Sequence, residues 1–302
     1  MKLPQKIILT EVGPRDGLQN EKEFLSTLQK LEFIQKLTEA GFHQIEVASF
    51  VSPKWVPQMG DSEEIIKALS PSAAVKNICL VPNQKGLEKA LELNVKNIAL
   101  FTAASESFTK KNINKTIPES LKDFEAIGVQ AKKNKMWVRG YVSTCFVCPY
   151  EGKIKAEKVL EVAKALINLG VDEISLGDTL GAAVPTQVEH LLKLLMPKIS
   201  SDQIALHFHD TRGTALANVL TGLQFGIYRY DSSAGGLGGC PYAPGASGNL
   251  ATEDLVYMLN EMGIETGIDL EKLVEASRLM SGFLKRPLTS KYLQSCTASP
   301  RK

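Results

Sequence analysis

The chain has 302 residues, of which 44% are hydrophobic and 23% are charged, a balance that supports a folded core and excludes general disorder. Its net charge of +2 gives no reason to expect a nucleic-acid partner, and five cysteines are too few, and odd in number, for a secreted disulfide scaffold. Residues 1–17 show no apolar or Arg/Ser-rich leader, and no segment has the length and hydrophobicity of a membrane span. We therefore expect a cytoplasmic protein without a membrane partner.

Short apolar segments rich in β-branched residues recur along the chain and predict parallel strands. In chain order they cover residues 7–12, 44–49, 76–81, 97–102, 137–143, 173–178, 204–210 and 228–234. Between them, apolar residues recur at helical spacing, as in 27–41 and 156–170. Both of these helical segments end on glycine, which suits the left-handed position after a helix.

Strand and helix units that alternate without a Pro/Gly-rich linker predict a closed (β/α)8 TIM barrel of the α/β class. We expect one catalytic domain over 1–302, with the barrel over about 5–235. A lid loop and extra C-terminal helices, near 249–262 and 269–284, would occupy about 235–290. A doubly wound open sheet is the alternative, but no GxGxxG turn follows the first strand.

Polar residues fall at the predicted carboxyl ends of the strands, where barrel enzymes carry their reactive groups. They include Glu11, Arg15, Asp16, Glu46, Ser49, Arg139, Tyr141, Ser175 and Asp178. His207 and His209 are two residues apart on the seventh candidate strand, so both imidazoles can point to one face. With Asp16 they would form a nitrogen and oxygen ligand set for a divalent cation such as Mg2+ or Mn2+. Alternatively, one histidine packs in the core and the other bonds a loop.

A glycine-rich loop over 235–248 places Cys240 in a segment too rich in glycine and proline to form a regular element. Its thiol could transfer a proton, or it could pack as a small apolar residue. Asn249, just beyond, would be either a helix N-cap or a fourth metal ligand.

Three lysines lie in predicted loops after the first and fourth strands. Lys22, and Lys110 with Lys111 in the segment 108–114, could bind anionic phosphate groups, or they could simply form solvated surface. Cys145 and Cys148 form a C-x-x-C pair, but no second pair exists to complete a zinc site, so we interpret them as packing residues.

Taken together, these segments resemble the hydroxymethylglutaryl-CoA lyase family over nearly the whole chain. The segments that carry the resemblance are EVGPRDGLQNE (11–21), IEVASFVSPKWVPQM (45–59), FTKKNIN (108–114), VRGYVS (138–143), CPYEGKI (148–154), SLGDT (175–179), HFHDTRG (207–213), GLGGCPYA (236–243) and GASGNLATEDLVYML (245–259). The RDG and HxHD elements are shared with a wider group of metal-dependent barrel lyases and synthases. The cysteine loop narrows the resemblance from this wider group to the lyase family. Ala234 and Gly235 depart from the usual signature of this loop, which puts acyl preference in question.

The resemblance implies a divalent metal cofactor and cleavage of 3-hydroxy-3-methylglutaryl-CoA to acetyl-CoA and acetoacetate. It implies four metal ligands, namely Asp16, His207, His209 and Asn249. Glu46 would lie in or near that shell, Arg15 would stabilise the enolate, and Cys240 would shuttle a proton; Asp16 and His207 are further candidates for proton transfer. From their predicted place in loops after the first and fourth strands, we expect Lys22, Lys110, Lys111 and Asn112 to help hold the CoA portion. A homodimer and a role in leucine degradation are also implied.

Two rival functions remain open at this point. One is a Claisen-type acyl-CoA synthase, which would use the same metal and arginine to form the carbon–carbon bond, although such synthases commonly carry a further C-terminal region. The other is a lyase for a longer-chain 3-hydroxyglutaryl-CoA, which would use the same residues. A non-catalytic CoA-binding or metal-binding barrel is disfavoured by the complete set of reactive residues.

Overall fold

The structure, a computed structural model, describes residues 3–69, 74–239 and 248–298. Its strands are β1 (Ile8–Glu11), β2 (Gln44–Ser49), β3 (Lys76–Leu80), β4 (Asn97–Ala103), β5 (Trp137–Ser143), β6 (Val147–Cys148), β7 (Gly152–Lys153), β8 (Glu173–Asp178), β9 (Ile204–Phe208) and β10 (Arg229–Ser232). All except β6 and β7 are parallel and close into a barrel in the order β1-β10-β9-β8-β5-β4-β3-β2. The predicted TIM-barrel fold is confirmed.

Helices surround this barrel. They are α1 (Thr27–Glu39), α2 (Ser62–Ala68), α3 (Gln84–Glu92), α4 (Glu106–Ile113), α5 (Ile117–Lys133), α6 (Ala156–Asn168), α7 (Pro185–Leu195), α8 (Ala215–Gln224), α9 (Thr252–Glu261), α10 (Leu270–Leu284) and α11 (Lys291–Ala298). Within the described part of the chain, none of these helices has the length and apolar character needed to cross a bilayer.

The first helix shows how local sequence signals define an element. Ser26 accepts the backbone N–H of Gln29, and the Gln29 side chain accepts that of Ser26, so a capping box begins α1. The helix buries one face against the core through Phe33, Ile34 and Leu37. It is followed by Gly41 at a φ of 102°, where a Cβ atom would meet the Gly267 carbonyl oxygen at 2.4 Å. Only glycine fits there.

The barrel strands alternate between side chains that face the interior and side chains that pack against the helices. In β5, Arg139 points into the barrel and reaches Asp231 on β10. Its neighbour Gly140 lies beneath α6, where a Cβ atom would meet Leu166 Cδ1 at 3.0 Å. The interior of this barrel therefore carries charged groups, while its outer face is apolar.

Several elements differ from the sequence-based expectation. Helix α9 begins at Thr252 and not near 249, and both the β6–β7 hairpin and α11 are absent from the predicted set. Asp254 accepts the backbone N–H groups of Lys291 at 3.0 Å and Tyr292 at 2.8 Å, and it thereby caps the start of α11 from a distance in sequence. A local pattern cannot reveal a cap of that kind.

Candidate active site

The first reactive residues lie in a short π-helical turn, Gly13–Gly17, directly after β1. The Val12 carbonyl accepts the N–H groups of Arg15 at 3.2 Å and Gly17 at 3.1 Å, which folds the turn back over the end of the strand. A Cβ atom on Gly17 would meet the side chains of Leu237 and Ser233 at 2.9 Å. Glycine therefore allows this turn to approach the opposite wall of the barrel, and it presents Arg15 and Asp16 at the carboxyl end of the strands.

Asp16, His207 and His209 lie together, with ligand atoms within 4.8 Å of one another. His207 belongs to β9, and His209 follows that strand in an isolated bridge with Asn249. The two imidazole ring centroids are 5.3 Å apart. The side chains that the sequence predicted to meet at one ion are thus adjacent in the structure.

The donor atoms around this cluster fit a metal ion. Asn249 donates its amide N–H groups to Asp16 Oδ2 at 2.9 Å and to the Leu237 carbonyl at 3.1 Å. Its Oδ1 atom is buried and has no hydrogen-bond partner among the described residues, and the same is true of His209 Nδ1. Buried polar atoms normally have partners, so these two unpartnered atoms fit a role as ligands of a metal ion. The alternative that Asn249 caps a helix is wrong, because α9 begins at Thr252 with Ala251 at its N-cap.

Charge and burial favour the metal-binding forms of Asp16 and His209. Burial raises the pKa of Asp16, but the positive charges of Arg15, His207 and His209 outweigh it and bring that pKa to about 2. Burial, aided by the charge on His207, lowers the pKa of His209 to about 4. At neutral pH the cluster therefore holds an ionised carboxylate and at least one neutral imidazole, as metal binding requires.

Arg15 connects the cluster of Asp16, His207 and His209 to Glu46. Its guanidinium donates to Asp16 Oδ1 at 2.9 Å and to Glu46 Oε2 at 2.6 Å, and it lies 5.6 Å from the Tyr141 ring centroid. The Tyr141 hydroxyl also donates to Glu46 Oε2, at 3.1 Å. Glu46 is therefore held by Arg15 through an ion pair, and it is not one of the three candidate metal ligands.

One buried residue was missed by the sequence-based prediction. Asp231 on β10 accepts hydrogen bonds from His207, Ser175 and Arg139, and its side chain is fully buried. A signal was available, because aspartate is depleted in strands and here lies inside an apparent strand segment.

The segment that carries Cys240 lies outside the described residues, so its predicted role as a functional thiol stays a prediction. The chain just before it is held by two buried carboxyl groups. Glu11 accepts the Ala234 N–H at 2.9 Å, and Glu253 accepts the Gly235 N–H at 2.8 Å.

Burial of Glu11 is expected to make stability depend on pH. Burial raises the pKa of Glu11 from 4.5 to about 8, although the N–H groups of Ala234 and Gly13 and the Thr252 hydroxyl oppose the shift. Because the folded protein then binds the proton more tightly than the unfolded chain, this contribution is complete below pH 4.5 and is lost as pH rises through about 8. We expect Glu11→Gln to flatten the fall of Tm over that range, as measured by thermal unfolding.

A suitable control is Glu265→Gln, because Glu265 is a carboxylate whose side chain is 63% exposed. Parallel Tm curves for Glu11→Gln and the unaltered protein would contradict the assignment.

The proposed CoA-binding residues are distributed differently from the expectation. Lys110, Lys111 and Asn112 lie on helix α4, so their placement in a loop was wrong; Ser105 caps the first turn of this helix, and Asn114 ends it with a φ of 56°. These three residues and Lys22 are exposed, and Lys111 Nζ lies 4.6 Å from the ring centroid of Tyr150.

Both members of the C-x-x-C pair are buried. Cys148 Sγ and Ser105 Oγ are 2.9 Å apart, and Cys145 Sγ donates to the Val142 carbonyl at 3.0 Å. The only group of possible metal ligands found among the described residues is the one at Asp16, so these contacts agree with packing roles.

The fold and site define a TIM-barrel enzyme with a candidate metal centre at the carboxyl ends of its strands. A family model described as HMGL-like matches residues 6–280. The hydroxymethylglutaryl-CoA lyase of Bacillus subtilis is 49% identical over 97% of this chain and 98% of its own length. The chain belongs to this family, and the predicted family and its enzymatic class, a lyase, are confirmed.

Solved structures agree with this assignment. The crystal structure of hydroxymethylglutaryl-CoA lyase from Pseudomonas aeruginosa is 44% identical, covers 99% of both chains and superposes with a TM-score of 0.96. An HMG-CoA lyase from Acinetobacter baumannii, in complex with coenzyme A and 3-methylmalate, is 39% identical with a TM-score of 0.93, and the match covers 98% of this chain and 96% of that one.

Proposed function

We propose that this chain cleaves 3-hydroxy-3-methylglutaryl-CoA to acetyl-CoA and acetoacetate with the help of a divalent metal ion, Mg2+ or Mn2+. The observation that carries the proposal is the cluster of Asp16, His207 and His209 beside Arg15, in a chain of the hydroxymethylglutaryl-CoA lyase family. The whole chain would act as one catalytic domain.

Asp16, His207, His209 and the unpartnered Oδ1 of Asn249 would hold the metal. When bound, a divalent cation lowers the pKa of a coordinated hydroxyl and orients the substrate that carries it. Mg2+ and Mn2+ are the proposed ions because the carboxylate oxygen of Asp16 and the amide oxygen of Asn249 suit these hard cations.

The reaction breaks the bond between C2 and C3 of the substrate. The C3 hydroxyl loses its proton, its oxygen becomes the ketone of acetoacetate, and the electron pair of the broken bond passes to the thioester as an enolate. Arg15 would face the thioester oxygen, where its fixed guanidinium favours the enolate over the neutral carbonyl. Glu46 and Tyr141 support that role, because they fix one side of the guanidinium while its Nε atom is buried without a hydrogen-bond partner among the described residues.

Protonation of the enolate carbon completes acetyl-CoA. We propose Cys240 as the residue that shuttles this proton, on the basis of the family resemblance of its loop. Asp16 and His207 are the other candidates for proton transfer. Both belong to the cluster that would hold the metal, beside the proposed position of the C3 hydroxyl of the substrate.

The CoA portion would contact Lys22, Lys110, Lys111 and Asn112. The proposed role of the three lysines is supported by their exposure. For Lys110 and Lys111 it is also supported by the position of α4, which begins three residues after the carboxyl end of β4. Replacing the three lysines with glutamine should raise KM for the CoA thioester about tenfold, because each exposed charge pair contributes up to roughly 1 kcal/mol. Steady-state kinetics at two salt concentrations would also show a weaker salt dependence.

A matched control is Lys133→Gln, on the last turn of α5, which leads into β5 and so lies at the opposite end of the barrel. Affinity for Mn2+ should stay the same in all of these variants. An equal loss with a short thioester that lacks the nucleotide would count against the assignment.

A substrate panel tests the proposed function. We expect the highest kcat/KM for 3-hydroxy-3-methylglutaryl-CoA among 3-hydroxyglutaryl-CoA thioesters of increasing chain length, and no turnover after chelation of metal. Preference for a longer chain would assign a different substrate to the same site. A cytoplasmic location, a homodimer and a role in leucine degradation stay predictions.

A further inference from the structure

The cluster of Asp16, His207 and His209 contacts a buried carboxylate inside the barrel, that of Asp231. Asp231 Oδ2 accepts the Ser175 hydroxyl at 2.7 Å and lies 3.1 Å from His207 Nδ1, while Oδ1 accepts an N–H of Arg139 at 2.5 Å. The side chains of both Asp231 and Arg139 have no exposed surface. A carboxylate held by three donors has little freedom to move.

Arg139 also has an ion-pair partner on its other side. Its Nε atom lies 3.0 Å from Glu173 Oε1, and Glu173 Oε2 lies 3.2 Å from Arg229 Nη1. Arg229 is the first residue of β10, so alternating charges extend from the amino end of the barrel up to His207. The carboxylates of Asp231 and Glu173 each have a cationic partner, which reduces the free-energy cost of burying them.

We propose that Asp231 is a positioning residue that fixes the orientation and tautomer of His207, so that Nδ1 carries the proton and Nε2 faces the metal. This inference rests on the metal site proposed above. An ionised carboxylate only accepts hydrogen bonds, so it demands a proton on Nδ1 and leaves the Nε2 lone pair free.

Asparagine cannot replace this carboxylate. If its oxygen faces Arg139, its amide group donates toward His207 Nδ1 and favours the opposite tautomer. If its oxygen faces His207, two donor groups meet at Arg139. Asp231→Asn should therefore weaken the binding of Mn2+, measured without substrate by titration calorimetry, about 10- to 100-fold.

The matched control is Ser175→Ala, which removes a different hydrogen bond to the same Oδ2 atom and leaves Arg139 to hold the carboxylate. Its affinity for Mn2+ should fall much less than that of Asp231→Asn. An unchanged affinity in folded Asp231→Asn, or equal losses in the two variants, would overturn the proposal. The Mn2+ titration contains no substrate. Its result therefore tests the role of Asp231 even if the chain does not cleave 3-hydroxy-3-methylglutaryl-CoA.

A second measurement keeps the proposal testable if Asp231→Asn does not fold. The chain has four histidines, so the imidazole nitrogen signals of His207 can be assigned in the Mg2+-loaded protein by comparison with single histidine variants. We expect a proton on Nδ1 of His207 that exchanges slowly with solvent. A proton on Nε2 would contradict the proposal.

Discussion

Replacing Asp16 with asparagine or His207 with alanine is expected to lower kcat on the order of 10³-fold, because each change removes a proposed metal ligand. Loss of a metal contact that stabilises developing charge costs several kcal/mol, and each 1.36 kcal/mol corresponds to about a factor of ten in rate. The fold should persist, because Asp16 and His207 lie at the carboxyl ends of the strands and are not part of the apolar core. Stopped assays with Mg2+ or Mn2+ and circular dichroism measure the two effects.

The histidine variant has a matched control in His190→Ala, which removes an exposed imidazole on α7. That control should retain near-normal kcat. Full activity in chelated protein, or in His207→Ala, would show that the cluster does not hold an essential metal.

Arg15→Lys is expected to lower kcat about 10²- to 10³-fold with little change in KM, because the guanidinium acts where the enolate forms. The planar fork of Arg15 bonds Asp16 and Glu46 at the same time, at 2.9 Å and 2.6 Å. A lysine ammonium keeps the charge, but it cannot reproduce both contacts and still face the thioester oxygen. Initial-rate kinetics over a range of substrate concentrations separate kcat from KM.

Arg278→Lys is the corresponding control, because Arg278 donates to the Cys296 carbonyl at an exposed position. A variant of Arg15 altered only in KM would mean that the residue binds the substrate and its transition state equally well.

The fold could be predicted because its signals are local. Most barrel strands are short, largely apolar segments, and α1 carries its own capping box and terminal glycine. The two elements that were missed depend on distant contacts or are very short: α11 is capped by Asp254, and the strands of the β6–β7 hairpin have two residues each.

The site was predictable where chemistry coincides with strand ends. Asp16, His207 and His209 follow that rule, since each lies at or just beyond the carboxyl end of a strand. Asp231 lies at the same level, in register with His207, but it was missed because its importance comes from contacts across the barrel with residues far away in sequence. The misplacement of Lys110 and Lys111 arose because their helix is short and polar, with no apolar periodicity to identify it.

The most direct test of the proposed function is to measure both products after incubation of the purified chain with 3-hydroxy-3-methylglutaryl-CoA. With Mn2+ or Mg2+ present, acetyl-CoA and acetoacetate should appear in equal amounts, and neither should form after chelation of metal. Unchanged substrate in the presence of metal, or release of free CoA without acetoacetate, would contradict the assignment of a carbon–carbon lyase to this site.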